Sequence, residues 1–210
     1  VKAVARAMEL GINYFDTASQ YGDGQSETNL GRVLNELNAQ VYVGTKYRLT
    51  ADDDADIKAG IIASVDASLA RMGREHVNLI QLHNRLAPQR DLAGGTLSVE
   101  DVLGEVVEAT ETLKSQGKID FWGLTGVGVP ESLNRVVDSG ALYSIQTVYN
   151  LINASAGADV VPGFDMPDYK RMIDKSKAAG MGVIVIRVLA AGALSGVAER
   201  DPVAVPPVAP

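Results

Sequence analysis

The chain has 210 residues, of which 46% are hydrophobic and 21% charged, and its formal net charge is -7. This composition is typical of a globular protein in water. The negative net charge argues against nucleic-acid and anionic-membrane partners. Because the chain has no cysteine, disulfides, zinc–thiolate sites and thiol catalysis are excluded. Since no apolar run reaches the roughly 18 residues of a membrane helix and no signal segment opens the sequence, we expect a cytoplasmic protein that acts on a small molecule.

Six short apolar runs punctuate the chain. They are nearly continuous rather than alternating, which is typical of parallel strands buried on both faces. In chain order the predicted strands are Ile12–Phe15, Val41–Thr45, Val77–Leu82, Ile119–Leu124, Ser144–Val148 and Val183–Ile186. Between them, apolar residues recur at steps of three and four, which predicts amphipathic helices. One such helix has its apolar face at Ile57, Ile61, Val65, Leu69 and Met72.

Glycines end several of the predicted helices. Gly11, Gly117, Gly140 and Gly180 each close a helical stretch just before a strand, where a left-handed residue ends a helix at little cost. Ser98, followed three residues later by Asp101, predicts the start of another helix, because a hydroxyl and a carboxylate at this spacing cap each other's backbone.

The alternation of strands and helices predicts the fold class. Strands follow one another at intervals of about 25 to 40 residues, the length of a βαβ unit, so the sheet is parallel and either open or closed into a barrel. A complete (β/α)₈ barrel typically needs about 250 residues, yet only six strands are predicted here. We therefore predict an α/β fold over residues 1–200, a parallel (β/α)₈ TIM barrel that lacks its first and last strands, followed by a Pro-rich loop or tail over residues 201–210.

Four polar side chains are predicted to meet at one rim of this barrel. Asp16, Lys46 and His83 each come at the end of a predicted strand, and Tyr21 lies five residues past Asp16. Because the carboxyl ends of parallel barrel strands open onto one face, these side chains would converge there. Singly, each has an ordinary explanation, as a helix cap, a solvated lysine, a packed tyrosine or a structural histidine. Their coincidence favours an acid–base cluster.

Local motifs give these positions a family resemblance. Residues 11–22, GINYFDTASQYG, resemble the signature segment of the aldo-keto reductase family, and residues 44–46 and 79–83 resemble its next two active-site strands in the same order. Residues 144–150 and 183–196 look like its sixth and seventh strands. The resemblance runs from residue 1 to residue 196, so the six predicted strands would be strands 2–7 of the family's barrel.

The resemblance implies a reaction and a role for each residue of the cluster. The family transfers a hydride between a nicotinamide cofactor and the carbonyl or alcohol group of an aldehyde, ketone or sugar. Tyr21 would be the general acid; a phenol in water has a pKa of about 10, and a neighbouring ammonium stabilises its phenolate. Lys46 would supply that ammonium, Asp16 would hold it by an ion pair, and His83 would donate a hydrogen bond to the carbonyl oxygen.

The resemblance also implies a cofactor site. We expect NADPH as the cofactor, with NADH as the alternative. Gln146 matches the glutamine that holds the nicotinamide carboxamide, and Thr125 supplies a hydroxyl where the family often has serine, although Gly126 replaces the asparagine that often follows. Arg187 stands where a serine often contacts the pyrophosphate. The predicted cofactor-binding residues are Asp16, Thr125, Gln146, Arg187, Leu189, Gly192 and Leu194.

Three alternatives remain open at this point. The chain could be a regulatory or sensor barrel that binds nucleotide without turnover, although the presence of all four catalytic-type residues argues against it. It could also be an inactive fragment, because in the family the last strand and its loop grip the adenosine phosphate. A metal site is disfavoured, since Asp16 and His83 provide only two plausible ligands. The substrate is expected to be a small carbonyl compound or a sugar.

Overall fold

The structure is a computed structural model that describes residues 1–197. The predicted Pro-rich tail at residues 201–210 lies outside the described residues. All six predicted strands are present, and their ends agree with the predictions within two residues. In chain order the strands are β1 (Tyr14–Asp16), β2 (Tyr42–Tyr47), β3 (Val77–Leu82), β4 (Arg85–Leu86), β5 (Thr96–Leu97), β6 (Ile119–Gly126), β7 (Ser144–Val148) and β8 (Gly182–Ile186).

The six long strands form one parallel sheet in the order β1-β2-β3-β6-β7-β8. Each strand pairs in parallel with the next long strand along the chain, which is the topology of a βα barrel. Within residues 1–197, β1 and β8 do not pair with each other, so the curled sheet is open between them. The predicted incomplete barrel is confirmed. Strands β4 and β5 form a separate two-stranded sheet in the connection after β3, which was not predicted.

Helices connect the strands and cover one face of the sheet. They are α1 (Lys2–Glu9), α2 (Gln25–Glu36), α3 (Ile57–Met72), α4 (Val99–Asp101), a π-helical segment (Val102–Val106), α5 (Val107–Ser115), α6 (Pro130–Asp138) and α7 (Met172–Ala178). The five apolar positions predicted for the face of α3 are all buried. Gly11, Gly117, Gly140 and Gly180 adopt φ values between 71° and 87°, which confirms the predicted helix ends. No helix in the described part of the chain is long and apolar enough to span a membrane.

Alternation along β2 sends neighbouring side chains to opposite faces of the sheet. Val43, Thr45 and Tyr47 are fully buried against the helices, whereas Lys46 lies on the other face, inside the curl. Because a strand has a period of two, burying the apolar set beneath the helices forces Lys46 into the barrel. The register places Lys46 beside Gln81 of β3.

A buried ion pair fixes β2 to the helices. Glu27 of α2 is fully buried; its two carboxylate oxygens accept hydrogen bonds from the Thr45 hydroxyl at 2.5 Å and from Arg71 Nε of α3 at 2.6 Å. Arg71 also donates to Ser68 Oγ at 3.0 Å. A Cβ at Gly24 would lie 2.7 Å from the Arg71 side chain, so a larger residue at this position would displace the arginine. The strand residue next to Lys46 is therefore held by both α2 and α3.

Candidate active site

The centre of the site is the ammonium group of Lys46. The Lys46 side chain is 1% exposed. Its Nζ donates to the Asp16 carboxylate and, at 2.8 Å, to the backbone carbonyl of Thr17. A buried ammonium is tolerated only when its charge is compensated and its N–H groups are bonded. Both contacts come from the end of β1, so the strand pairing of β1 with β2 brings this charge and its partners together.

Tyr21 lies beside that ammonium at the mouth of the curl. The Lys46 nitrogen is 5.0 Å from the centre of the Tyr21 ring, which is within the range of a cation–π contact. The tyrosine is 44% exposed, so the phenol can be reached from solvent. The turn that follows it contains Gly22, Asp23 and Gly24 with φ values of 60°, 52° and 82°. Three consecutive left-handed residues turn the chain sharply back over the rim, and glycine at two of them keeps the strain small.

A chain of hydrogen bonds joins Asp16 of β1 to side chains of β7 and β6. Gln146 of β7 donates from Nε2 to Asp16 Oδ1 at 3.2 Å and accepts at Oε1 from the Thr125 hydroxyl of β6 at 3.3 Å. Both side chains are nearly fully buried. Tyr14 also donates to Asp16 Oδ1, at 3.4 Å, and its ring fills the space that a Cβ on Gly44 would need. Thus Gln146 bonds directly to the predicted catalytic cluster, and Thr125 joins it through Gln146.

His83 faces Tyr21 from the end of β3. The two rings are 6.0 Å apart and nearly perpendicular, at 77°. Burial, followed by the positive charges of Lys46 and Arg48, lowers the pKa of His83 to about 4. The ring is therefore neutral at pH 7. Its Nδ1 atom is buried without a hydrogen-bond partner among the described residues. We assign the ring proton to Nε2, because a buried N–H without an acceptor is more costly than a bare lone pair.

The lowered pKa of His83 predicts how stability depends on pH. An unfolded histidine titrates near pH 6.5, so between about pH 6.5 and pH 4 the unfolded chain binds more protons at this residue than the folded chain. Hence His83 lowers the free energy of unfolding as the pH falls through that window. We expect His83→Gln to lose less stability than the wild type over the window, as measured by urea unfolding. Parallel curves for the two proteins would contradict the shifted pKa, which ring NMR titration measures directly.

Comparison with known proteins assigns a family to this arrangement. The family model described as the aldo/keto reductase family matches residues 1–207, almost the whole chain. The chain belongs to the aldo/keto reductase family. The resemblance found in the local motifs is therefore confirmed.

Individual aldo/keto reductase relatives are distant and longer than this chain. It is 31% identical over 153 residues to YqkF of Bacillus subtilis, an oxidoreductase described as uncharacterized, with 70% of this chain and 46% of the relative covered. It is 29% identical over 204 residues to L-galactose dehydrogenase of Arabidopsis thaliana, covering 93% of this chain and 56% of the relative. The chain thus spans about half the length of these curated relatives.

A solved structure shows the same fold. An aldo/keto reductase from Klebsiella pneumoniae, determined in complex with NADP and acetate, matches with a TM-score of 0.66 and 21% identity. The match covers 93% of this chain and 60% of that chain. The open sheet described above is therefore similar to part of an aldo/keto reductase barrel.

Four of the predicted cofactor-binding residues lie apart from the cluster, after β8. Arg187 has a left-handed backbone, with φ of 55°, and its carbonyl accepts a hydrogen bond at 3.0 Å from Asn150 Nδ2 in the loop after β7. Leu189, Gly192 and Leu194 follow in a turn that includes a 3₁₀ segment (Ala190–Gly192). None of the described hydrogen bonds joins these four residues to Asp16 or Lys46. Their role in cofactor binding stays a prediction.

Two residues of this site were missed from the sequence. Asn84 is 1% exposed; its amide donates to Leu49 O at 2.9 Å and accepts from Leu49 N at 2.8 Å, which joins the loops after β2 and β3. Tyr14 was assigned only to a strand, although it donates to Asp16. Gly44 next to Thr45-Lys46 was a usable signal for Tyr14, because a glycine inside a strand often marks the close approach of another group. For Asn84, no local pattern was available.

Proposed function

We propose that the protein is an oxidoreductase that interconverts carbonyl and alcohol groups of aldehydes, ketones or sugars, with NADPH as the hydride donor and Tyr21 as the general acid. One observation carries the proposal. A buried ammonium, Lys46, is held by the Asp16 carboxylate and lies 5.0 Å from the centre of a solvent-accessible tyrosine ring. A packed structural tyrosine has no need of a buried, compensated cation beside it, because burying that charge costs free energy.

The residues divide the work of carbonyl reduction. When bound, NADPH supplies the hydride that reduces the carbonyl carbon, and NADP⁺ leaves with the positive charge. Negative charge develops on the carbonyl oxygen, to which neutral His83 donates a hydrogen bond from Nε2. The Tyr21 hydroxyl gives that oxygen its proton, and the Lys46 ammonium stabilises the phenolate that remains. Asp16 and the Thr17 carbonyl keep the ammonium in place. In the direction of oxidation, the phenolate accepts the alcohol proton.

The buried amide of Gln146 fits a nicotinamide carboxamide. A glutamine amide has two N–H donors and an acceptor oxygen. Contacts with Asp16 and Thr125 use one donor and one lone pair, so one N–H and one lone pair remain to pair with a carboxamide, which itself offers both a donor and an acceptor. The Klebsiella pneumoniae structure is a complex with NADP, which supports NADPH. We assign Gln146 and Thr125 to the nicotinamide and Arg187, Leu189, Gly192 and Leu194 to the rest of the cofactor.

The assay that tests this function follows nicotinamide absorbance. NADPH and NADH are offered separately with a panel of aldehydes, ketones and sugars, and we expect turnover with NADPH on at least one carbonyl. Nucleotide binding without turnover on any substrate would favour the alternative of a regulatory or sensor barrel. Failure to bind either nucleotide would exclude both the reductase and the sensor.

A further inference from the structure

We propose that Arg48 is an oxyanion-binding residue beside the reacting carbonyl, so that the preferred substrate carries a phosphate or carboxylate group. The inference rests on the proposed function, because it assumes that the carbonyl oxygen binds at His83. Arg48 takes no part in the proton and hydride transfer proposed above.

Arg48 lies at the rim of the sheet, two residues beyond Lys46 and directly after the end of β2. The residue is exposed. Its guanidinium occupies the position that a Cβ on Gly95 would fill. Gly95 is buried and has φ of 80°, a conformation that favours glycine. The loop after β3 therefore leaves a space that Arg48 fills.

Hydrogen bonds fix the backbone on both sides of Arg48 relative to the backbone of His83. Asn84 directly follows His83, and its side chain bonds both backbone groups of Leu49, the residue after Arg48. The same amide donates to the carbonyl of Gly95 at 3.3 Å. His83 N also donates to the Tyr47 carbonyl, at 2.8 Å, on the other side of Arg48. The backbone on both sides of Arg48 is thus bonded to the segment that carries His83.

The charge of Arg48 lies near the site and is not balanced by an acid within residues 1–197. Among residues 1–197, no carboxylate forms an ion pair with Arg48, although the chain is acidic overall. Six other arginines pair with carboxylates, as in Arg6–Glu9, Arg32–Glu36, Arg71–Glu27, Arg90–Asp54, Arg135–Glu100 and Arg171–Asp174. Arg74 and Arg85 form no such pair among the described residues, but neither charge contributes to the lowered pKa of His83. After burial and the charge of Lys46, the Arg48 charge also lowers the pKa of His83, so the guanidinium lies close enough to interact with that ring. A guanidinium without an acid partner at the rim of a site favours a carboxylate or phosphate, either of which it can bind with two parallel hydrogen bonds.

The position in the sheet favours the substrate rather than the cofactor as the source of this oxyanion. Arg48 and His83 lie just after β2 and β3, whereas the residues assigned to the nicotinamide lie in β6 and β7 and the remaining cofactor residues follow β8. A phosphate or carboxylate a few bonds from the carbonyl would reach Arg48 while the carbonyl oxygen meets His83. The substrate class is therefore a small carbonyl compound with one anionic end, such as a phosphorylated triose or a short oxo-acid.

Matched substrates test the proposal. At saturating NADPH, kcat/KM is measured for glyceraldehyde 3-phosphate against glyceraldehyde, and for succinic semialdehyde against butanal. We expect the wild type to prefer the charged member of each pair, and Arg48→Gln to lose about 10- to 100-fold on the charged members with little change on the neutral ones. Arg32→Gln, the same charge change on the exposed face of α2, should keep the wild-type preference. The preference should weaken with added KCl in the wild type and not in Arg48→Gln.

The remaining outcomes separate this proposal from the proposed function. Turnover without preference for charged substrates, or equal preference in Arg48→Gln and Arg32→Gln, overturns the oxyanion site and leaves the reductase intact. A rise in KM for NADPH alone in Arg48→Gln assigns the oxyanion to the cofactor and also overturns the proposal. If no carbonyl is reduced, the proposed function fails. Broadening of the ³¹P signal of inorganic phosphate by the full chain, lost in Arg48→Gln and kept in Arg32→Gln, then decides the site on its own.

Discussion

Tyr21→Phe is expected to lower kcat by roughly 10²- to 10⁴-fold, the usual contribution of a positioned general acid. The substitution removes one oxygen from a side chain that is 44% exposed, so the fold and the ring contact with His83 should persist. Proton donation matters only as charge develops on the carbonyl oxygen, and therefore kcat and kcat/KM should fall by the same factor while KM hardly changes. Steady-state NADPH oxidation measures all three constants.

A matched control separates this loss from a general effect of removing a phenol. Tyr42, at the opposite end of β2 from the site, is 57% exposed and makes no hydrogen bond in the described structure through its hydroxyl. Tyr42→Phe should keep wild-type turnover. Unchanged turnover in Tyr21→Phe would disprove the assignment of the general acid, whatever the family of the protein.

Lys46→Met is expected to abolish most activity and to destabilise the protein. Methionine has nearly the length of the lysine stem and can fill the buried space, but it removes the charge that stabilises the Tyr21 phenolate. The Asp16 carboxylate and the Thr17 carbonyl lose their shared donor. A polar group left without its partner costs about 1–3 kcal/mol, and Asp16, which is partly exposed, recovers some of this through water. We expect kcat to fall at least about 10²-fold and the free energy of unfolding to fall measurably.

Two measurements identify the cause of the Lys46→Met defect. Urea unfolding gives the stability change, and kcat measured at a temperature where the variant is fully folded gives the chemical change. Lys58→Met provides the control, because Lys58 has a half-exposed side chain and only a 3.8 Å contact with Glu108. Full turnover in folded Lys46→Met would exclude the ammonium from the proton transfer.

Much of the fold followed from the sequence because it depends on short-range patterns. Continuous apolar runs gave six strands, since strands covered on both faces cannot alternate. The steps of three and four in α3 and the glycines at the helix ends are equally local, as they depend on the helical period and on backbone sterics. The two-stranded sheet of β4 and β5 escaped prediction. Strands of two residues are too short for any period to show, and the Gly94-Gly95 pair indicated only a loop.

The proximity of Asp16, Tyr21, Lys46 and His83 was also predictable, because it depends on the order of the strands. Parallel strands that follow one another in the sheet bring their carboxyl ends together, so the order of Asp16, Lys46 and His83 along the chain places them on neighbouring strands. Their chemical types then indicate proton transfer. The motif around Tyr21 added the family, and the family added the roles.

The sequence by itself determined the strand order, the helix faces, the family and the proximity of Asp16, Tyr21, Lys46 and His83. Only the tertiary structure decided which contacts support them. Gln146 bonds to Asp16 across 130 positions, Glu27 bonds both Thr45 and Arg71, and Asn84 joins two loops. Arg48 lies against Gly95 and has no acid partner among residues 1–197. These contacts join polar side chains that are distant in the chain, and whether such a side chain is solvated, paired or left unbalanced depends on what the fold places opposite it. The local periodicity of the sequence does not predict that placement.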